Sequence, residues 1–500
     1  MSISSQSWSA TATVVARPSS SAGKAGLPAT AQRPLRLGAL TALVVGSMVG
    51  SGIFSLPQNM ASAAGAGAIV LGWLVTGAGM LALALVYQSL ALRQPGLNNG
   101  VYAYARASGG DLVGFGSAWG YWMSAWIGNA SYLVIFFAAL ATFFPQFGEG
   151  NNAAAIAGAS VLLWALHGLT LAGVRSATFA NTLTTLAKLV PLLLFVGFVA
   201  AAFHVDTFTS GFWGSAKSGS VFEQVKGTML ITVWVFIGIE GASVYSGRAA
   251  RRSDVGRATL LGFVAVLALL MAVSLLSLGV MAQDELAGLK NPSMAGVLEK
   301  AVGPWGARLI SVGLLVSVGG ALLAWILLAA ETLFTPAQDG LMPQALSREN
   351  AKGSPTAALW VTNGLTQLLL LVTLWSNATY LALILLATSM ILVPYLFTGL
   401  HALRSAWTGT GYDGEVQGRS RDLAIAGVAS VYCVWLLYAA GPAYLLLSAL
   451  LYAPGLAVFA WARRDRGLKL FSATEGIAAA VLLAAAAVAA YMLVTGTLSL

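Results

Sequence analysis

Thirteen stretches of this chain are apolar over a length that can cross a bilayer. No other feature constrains the fold as strongly. A hydrocarbon core of about 30 Å takes roughly 20 residues of helix. Inside it, backbone groups have no water to bond, so a spanning segment must satisfy them within itself. The stretches lie near 38–62, 67–92, 112–144, 153–172, 179–202, 224–246, 257–282, 308–334, 357–374, 378–402, 422–439, 441–462 and 474–497. The third is long enough to tilt or to lie partly outside the bilayer, and the chain has to turn near Gly441-Pro442. Composition agrees. Hydrophobic residues make up 58% of the chain and charged ones only 9%, where a soluble domain carries about a quarter charged residues. The 56 glycines suit helices that pack closely in a membrane.

Residues 1–36 differ in kind. They are rich in Ser, Ala and Thr and hold no Asp or Glu. They lack the apolar centre of a secretory signal, and a disordered cytoplasmic tail is the expectation. The single cysteine, Cys433, sits in an apolar run and reads as a packing residue. With one cysteine there is no intrachain disulfide and no Cys-based metal site.

The net charge of +9 is not a nucleic-acid signal, because the basic residues follow the loops. With the N-terminus placed inside, 20 of the 26 Lys and Arg residues fall on the cytoplasmic tail and loops. Five fall outside (Lys217, Lys226, Lys290, Lys300 and Arg308), and Lys188 lies within a span. That bias orients the chain with its N-terminus in the cytoplasm.

Two spans are interrupted by glycine. The first reads Gly46-Ser-Met-Val-Gly-Ser-Gly-Ile-Phe54 and the sixth Trp234-Val-Phe-Ile-Gly-Ile-Glu-Gly241. They lie five spans apart and so cross the membrane in opposite directions. That is the pattern of an inverted repeat whose unwound helices form a substrate site at mid-depth. An unwound point frees N–H groups on one half-helix, which suit a carboxylate, and carbonyls on the other, which suit an ammonium. An amino acid carries both. Close helix packing is the alternative reading of Gly46-x-x-x-Gly50.

These residues resemble a known family. GSMVGSGIFSLPQNMA (46–61), GYWMSAWIGNASY (120–132), WVFIGIEGASVYSGRA (234–249) and GGALLAWILLAAETLF (319–334) are similar to spans 1, 3, 6 and 8 of the amino acid–polyamine–organocation superfamily. Within it they resemble the basic amino acid/polyamine antiporters, most of all the arginine/ornithine exchangers, over residues 37–465. The resemblance implies that Ser51 and Gly52 hold a substrate carboxylate and that backbone carbonyls of Met48, Trp234 and Ile237 hold its α-amino group. It implies a polar contact from Asn129, packing on the substrate stem by Trp325, and stacking of Trp234 on a cationic end group. Ser47 stands where arginine/agmatine exchangers tend to carry Asn, and Ala125 where they often carry Cys. On the tenth span, Thr388 or Ser389 is expected to complete the pocket.

An intramembrane charge marks function by default because burying it is expensive. Glu240, beside the sixth-span break, is the candidate for sensing or coupling substrate charge; a structural hydrogen bond between spans 1 and 6 is the alternative. Lys188 is similar to a lysine of sodium-independent relatives whose ammonium occupies a sodium ion's place; snorkelling to the interface is the alternative. His167 reads as a hydrogen-bonded core histidine, with a proton relay as the alternative. Asp254 with Arg251, Arg252 and Arg257 forms a solvated loop or a cytoplasmic gate. There is no P-loop, HExxH or paired metal-ligand motif.

The expected fold is an all-α integral membrane protein with a five-plus-five inverted repeat, spans 1 and 6 unwound, and about 12–13 transmembrane helices. The units are 37–202, an inverted 203–403, and peripheral helices over 404–500. The expected function is secondary transport, arginine for ornithine, in a bacterial inner membrane. Another amino acid or polyamine antiporter, a proton symporter, and a receptor or channel-like protein without turnover remain open. The expected partners are a cationic amino acid and the lipid bilayer, with no nucleic acid and no cofactor or metal. Dimers are common in the family, so a homodimer is allowed.

Overall fold

The computed structural model describes residues 37–97, 101–173, 178–214, 218–240, 252–412 and 418–498. The tail over 1–36, Gly241, Arg248 and Arg251 lie outside them, and so does the side chain of Ser47. Every regular element among the described residues is helical. In chain order these are α1 (Leu37–Met48), α2 (Leu56–Ala63), α3 (Ala66–Arg93), α4 (Val101–Leu140), α5 (Ala153–Leu171), α6 (Thr178–Ala201), α7 (Val205–Thr209) and α8 (Val221–Trp234). There follow α9 (Arg252–Ser277), α10 (Gln283–Ala287), α11 (Ser293–Val302), α12 (Pro304–Gln338), α13 (Thr356–Ser376), α14 (Tyr380–Thr408), α15 (Arg419–Asp465) and α16 (Ala473–Val494).

Nine of the described helices are long and apolar enough to cross a membrane: α3, α4, α5, α9, α12, α13, α14, α15 and α16. The helix α15 is two spans in one. Its 47 residues would reach about 70 Å if straight, more than twice a hydrocarbon core. Both its ends nevertheless meet the same cluster. Near its start, Asp422 accepts from Arg93 Nε at 2.9 Å and from Tyr412 Oη at 3.0 Å. Near its end, Arg463 donates to Asp111 at 2.8 Å, and Asp111 also accepts from Arg106 at 2.8 Å. His401 bridges Gln94 and Ser108, which joins the two sets on one face. The reversal falls at Gly441, whose φ of 74° is open to glycine at little cost. Counting α15 twice and adding α6, eleven of the thirteen expected segments are present among the described residues, together with the broken first span and the sixth as far as Glu240. The face carrying Arg93, Arg106, Arg404 and Arg463 is called the basic face below.

Two boundaries differ from expectation. The helix of the third span is kinked at Gly110, where φ 80° and ψ −172° are not helical, so a separate leg over 101–109 on the basic face precedes the spanning part. It stops at Leu140 rather than 144, because Pro145 disfavours helical backbone at Phe144, which adopts φ −132°, ψ 86°.

Packing relies on small residues. A Cβ at Gly72 would lie 2.4 Å from Thr228 Oγ1, and one at Gly79 2.1 Å from the Tyr432 ring, so α3 meets α8 and α15 at backbone distance. Polar side chains also pair between helices: Thr76 with Thr232 of α8 at 2.7 Å, and Trp73 with Ser274 of α9 at 2.9 Å. By contrast α16 exposes Ile477, Val481, Leu483, Val488 and Val494, an apolar surface suited to lipid.

Candidate functional site

Both expected breaks are present. The helix α1 ends at Met48, and regular structure resumes as a short 3-10 turn at Gly52. Glycine-rich sequence favours the end of a helix, since Gly costs about 1 kcal/mol relative to Ala in its interior. Ending there leaves carbonyls with no intrahelical partner, at the negative end of the helix dipole. Lys188 supplies the missing donor. Its Nζ lies 2.6 Å from Gly46 O and 2.7 Å from Val49 O. The ammonium is buried on α6, where only such pairing makes a charge tolerable.

The sixth span breaks differently. Ser220 caps the start of α8, its Oγ accepting from Glu223 N at 3.2 Å. The helix stops at Trp234, and the chain turns through Gly238 at φ 105°, a conformation that a side chain would strain. The turn brings Glu240 back onto itself, so that Gly238 N donates to Glu240 Oε2 at 3.2 Å. Two buried phenols complete the carboxylate's shell. Tyr121 Oη donates to Oε1 at 2.6 Å and Tyr395 Oη to Oε2 at 3.1 Å. To an ionised carboxylate such bonds are charge-assisted, the stronger kind. Glu240 is thus bound to α4 and to α14.

Between the breaks lies a cavity. One face of α4 supplies Tyr121, Ser124, Ala125, Gly128, Asn129 and Tyr132; Trp234, Trp325 and Ile391 close the other sides. None of the nine carries a charge. Tyr132 meets Trp234 edge-on at 6.4 Å and Trp325 at 6.3 Å, between ring centres. Asn129 Nδ2 reaches Trp325 O at 3.4 Å, tying α4 to α12. A Cβ on Gly52 would lie 2.7 Å from Trp234 Cδ1, so the broken first span presses directly against this tryptophan. Aromatic faces, one carboxamide and the groups freed at two helix breaks are what the site offers a ligand.

Of the residues expected from the sequence, Asn129, Trp234 and Trp325 line this cavity, as does Ala125. Ser51 and Gly52 form the first break beside Trp234; Met48 and Ile237 are buried on the breaks without lining the cavity. Neither Thr388 nor Ser389 lines it. Both turn their hydroxyls back to their own helix, at Ile384 O and Leu386 O, and Ile391 is the residue of that helix at the cavity. His167 pairs with Asn363 at 2.9 Å between α5 and α13, a core histidine away from the site. Sequence reading did not single out Tyr121, Ser124, Tyr132, Tyr380 or Tyr395. The first three share a helical face with Asn129, so helical spacing on either side of Asn129 would have found them. No local signal marks Tyr380 or Tyr395.

Fold and site together define a helical membrane protein of the secondary-transporter class. The chain belongs to the amino acid permease family, whose model matches residues 35–442. It is 56% identical to an arginine/ornithine antiporter of Pseudomonas aeruginosa over 474 residues, covering 93% of this chain and 98% of that one. It is 44% identical to an L-lysine transport protein of Corynebacterium glutamicum over 498 residues, covering 96% and 99%. A solved Eremococcus coleocola manganese transporter shares its fold, with a TM-score of 0.53 at 13% identity, over 86% of this chain and 94% of that one.

Proposed function

We propose that the protein exchanges arginine for ornithine across a bacterial inner membrane, with its N-terminus in the cytoplasm. The observation that carries this reading is the uncharged, aromatic cavity set against two helix breaks. The main-chain N–H groups at Ser51 and Gly52 take the substrate carboxylate. Carbonyls at Met48, Trp234 and Ile237 take the α-amino group. The cationic side chain lies between Trp234 and Trp325, with Asn129 beside it, where ring faces attract a cation. The name of the Pseudomonas relative supports the substrate pair. The two breaks belong to inverted halves over 37–202 and 203–403, and rocking of one bundle against the other alternates access. Lys188 holds the first break in a fixed shape, and Glu240 couples the cavity to the basic face through Tyr121.

Counterflow into proteoliposomes tests this. Internal ornithine is expected to accelerate entry of labelled arginine, and neutral amino acids are not. Equal acceleration by lysine would widen the substrate class, which the name of the Corynebacterium relative makes a real alternative. Entry without any internal partner would replace exchange by symport, and no saturable flux of any amino acid would end the transport reading.

A further inference from the structure

The cavity is bracketed along α14 by two tyrosines. Tyr395, bonded to Glu240, lies toward the basic face. Tyr380 is the first residue of α14, 15 positions earlier, or about 22 Å away along the helix. Its hydroxyl meets both broken spans at once. Ser51 Oγ is 3.1 Å away, and Trp234 Nε1 donates to the same oxygen at 3.4 Å. All three side chains are buried. An indole N–H only donates, so the phenol oxygen must accept from Trp234. Its own proton is then free to go to Ser51.

The backbone under Tyr380 is fixed. Thr379 caps α14 through Ala382 N at 3.2 Å, and Asn151 donates to the carbonyls of Asn377 and Ala378, each at 3.4 Å. The half-helix that follows Ser51 is held elsewhere. Asn291, between α10 and α11, donates to Gln58 and Asn59 of α2, at 3.1 Å each. The α2 unit and α14 therefore belong to separately anchored parts, and the Ser51–Tyr380–Trp234 contact joins them across the cavity's roof.

We propose that Tyr380 is a positioning residue that latches the cavity shut on the face opposite the basic one. Its hydroxyl fastens both helix breaks to α14, and the latch must open for a solute to pass that way. This deepens the transport reading, and it needs no particular substrate.

The test uses the chain's single cysteine. Cys433 is buried and is replaced by Ala; Ser124→Cys then puts one thiol in the cavity. Labelling by a membrane-impermeant methanethiosulfonate is timed in spheroplasts and in inverted vesicles, without substrate. Tyr380→Phe is expected to speed labelling on the order of tenfold in one preparation only, the scale set by losing one or two hydrogen bonds. Ser51→Ala, which removes one partner, is expected to give a smaller rise in that same preparation, and the double variant no more than Tyr380→Phe alone. Rates unchanged in both preparations, or raised equally in both, would overturn the latch. Labelling that rises as expected while arginine–ornithine counterflow fails would leave the latch standing and remove the substrate assignment.

Discussion

Replacing Lys188 by Met isolates what its ammonium does, because the two side chains are similar in length. The lysine donates to Gly46 O at 2.6 Å and Val49 O at 2.7 Å, and it is buried. Hydrogen bonds to charged groups are worth about 1.5–3 kcal/mol each. The two share one donor and do not add fully, so the end of α1 should lose about 3–5 kcal/mol of local stability. A loss of about 3 kcal/mol corresponds to roughly a hundredfold in rate if the intact break is needed for transport. Arginine–ornithine exchange by Lys188→Met in proteoliposomes should therefore fall about a hundredfold, while the purified protein still elutes as a folded species. Lys188→Ala leaves room for a mobile cation, so residual exchange by that variant should rise with sodium or potassium. The wild type, which carries its own cation, should be indifferent to both. Near-normal exchange by Lys188→Met, or a sodium requirement in the wild type, would refute this account.

Other substitutions separate the remaining roles. Gly52→Ala would drive a methyl group to within 2.7 Å of both Trp234 and Val235; such overpacking costs about 1–3 kcal/mol, and exchange should drop at least tenfold in a folded protein. Glu240→Gln keeps the shape but not the charge that Tyr121 and Tyr395 bond, so it should flatten the dependence of exchange on pH measured between about pH 5 and 8. An unaltered rate and pH profile would remove its coupling role. Asn129→Ala should raise the arginine KM several-fold with little change in thermal stability. Asp422→Asn, which weakens the contacts to Arg93, Ser89 and Tyr412 at a partly exposed site, should cost about 1 kcal/mol and lower the melting temperature by only about 1 °C, and leave the arginine KM unchanged.

The spans were legible because their cause is local. Apolar length and the need to satisfy the backbone act residue by residue, and the helices found over 66–93, 153–171 and 356–376 lie within a few residues of expectation. The breaks were legible for the same reason, since glycine clusters act where they stand. The cavity was only half legible. Asn129, Trp234 and Trp325 came from resemblance, and the α4 face around Asn129 was available from spacing alone. Tyr380 and Tyr395 were not available, because each acts on a group more than 140 positions away in sequence. The register of α14 could not be fixed from the chain either. Thr388 and Ser389 are polar and looked suited to a ligand, but a buried hydroxyl on a helix finds the carbonyl one turn back first.

The placement of the two intramembrane charges then has a common explanation. The cavity lining is neutral, so neither Lys188 nor Glu240 sits where a solute would touch it first. Each is instead bound to what a helix break leaves over. The first break exposes carbonyls, and a cation fills them. The sixth exposes the N–H of Gly238, and an anion accepts it together with two phenols. A membrane interior tolerates unwound backbone only when such partners are present. The difference lies in what each partner touches next. Among the described residues, Lys188 donates to main chain only, at Gly46 O and Val49 O, which suits a fixed support. Glu240 meets Tyr121, which is itself part of the cavity wall. A change of charge at Glu240 would reach a bound solute through one hydrogen bond, whereas a change at Lys188 would have to deform the break itself. On this argument, pH sensitivity belongs to the sixth-span break and mechanical integrity to the first.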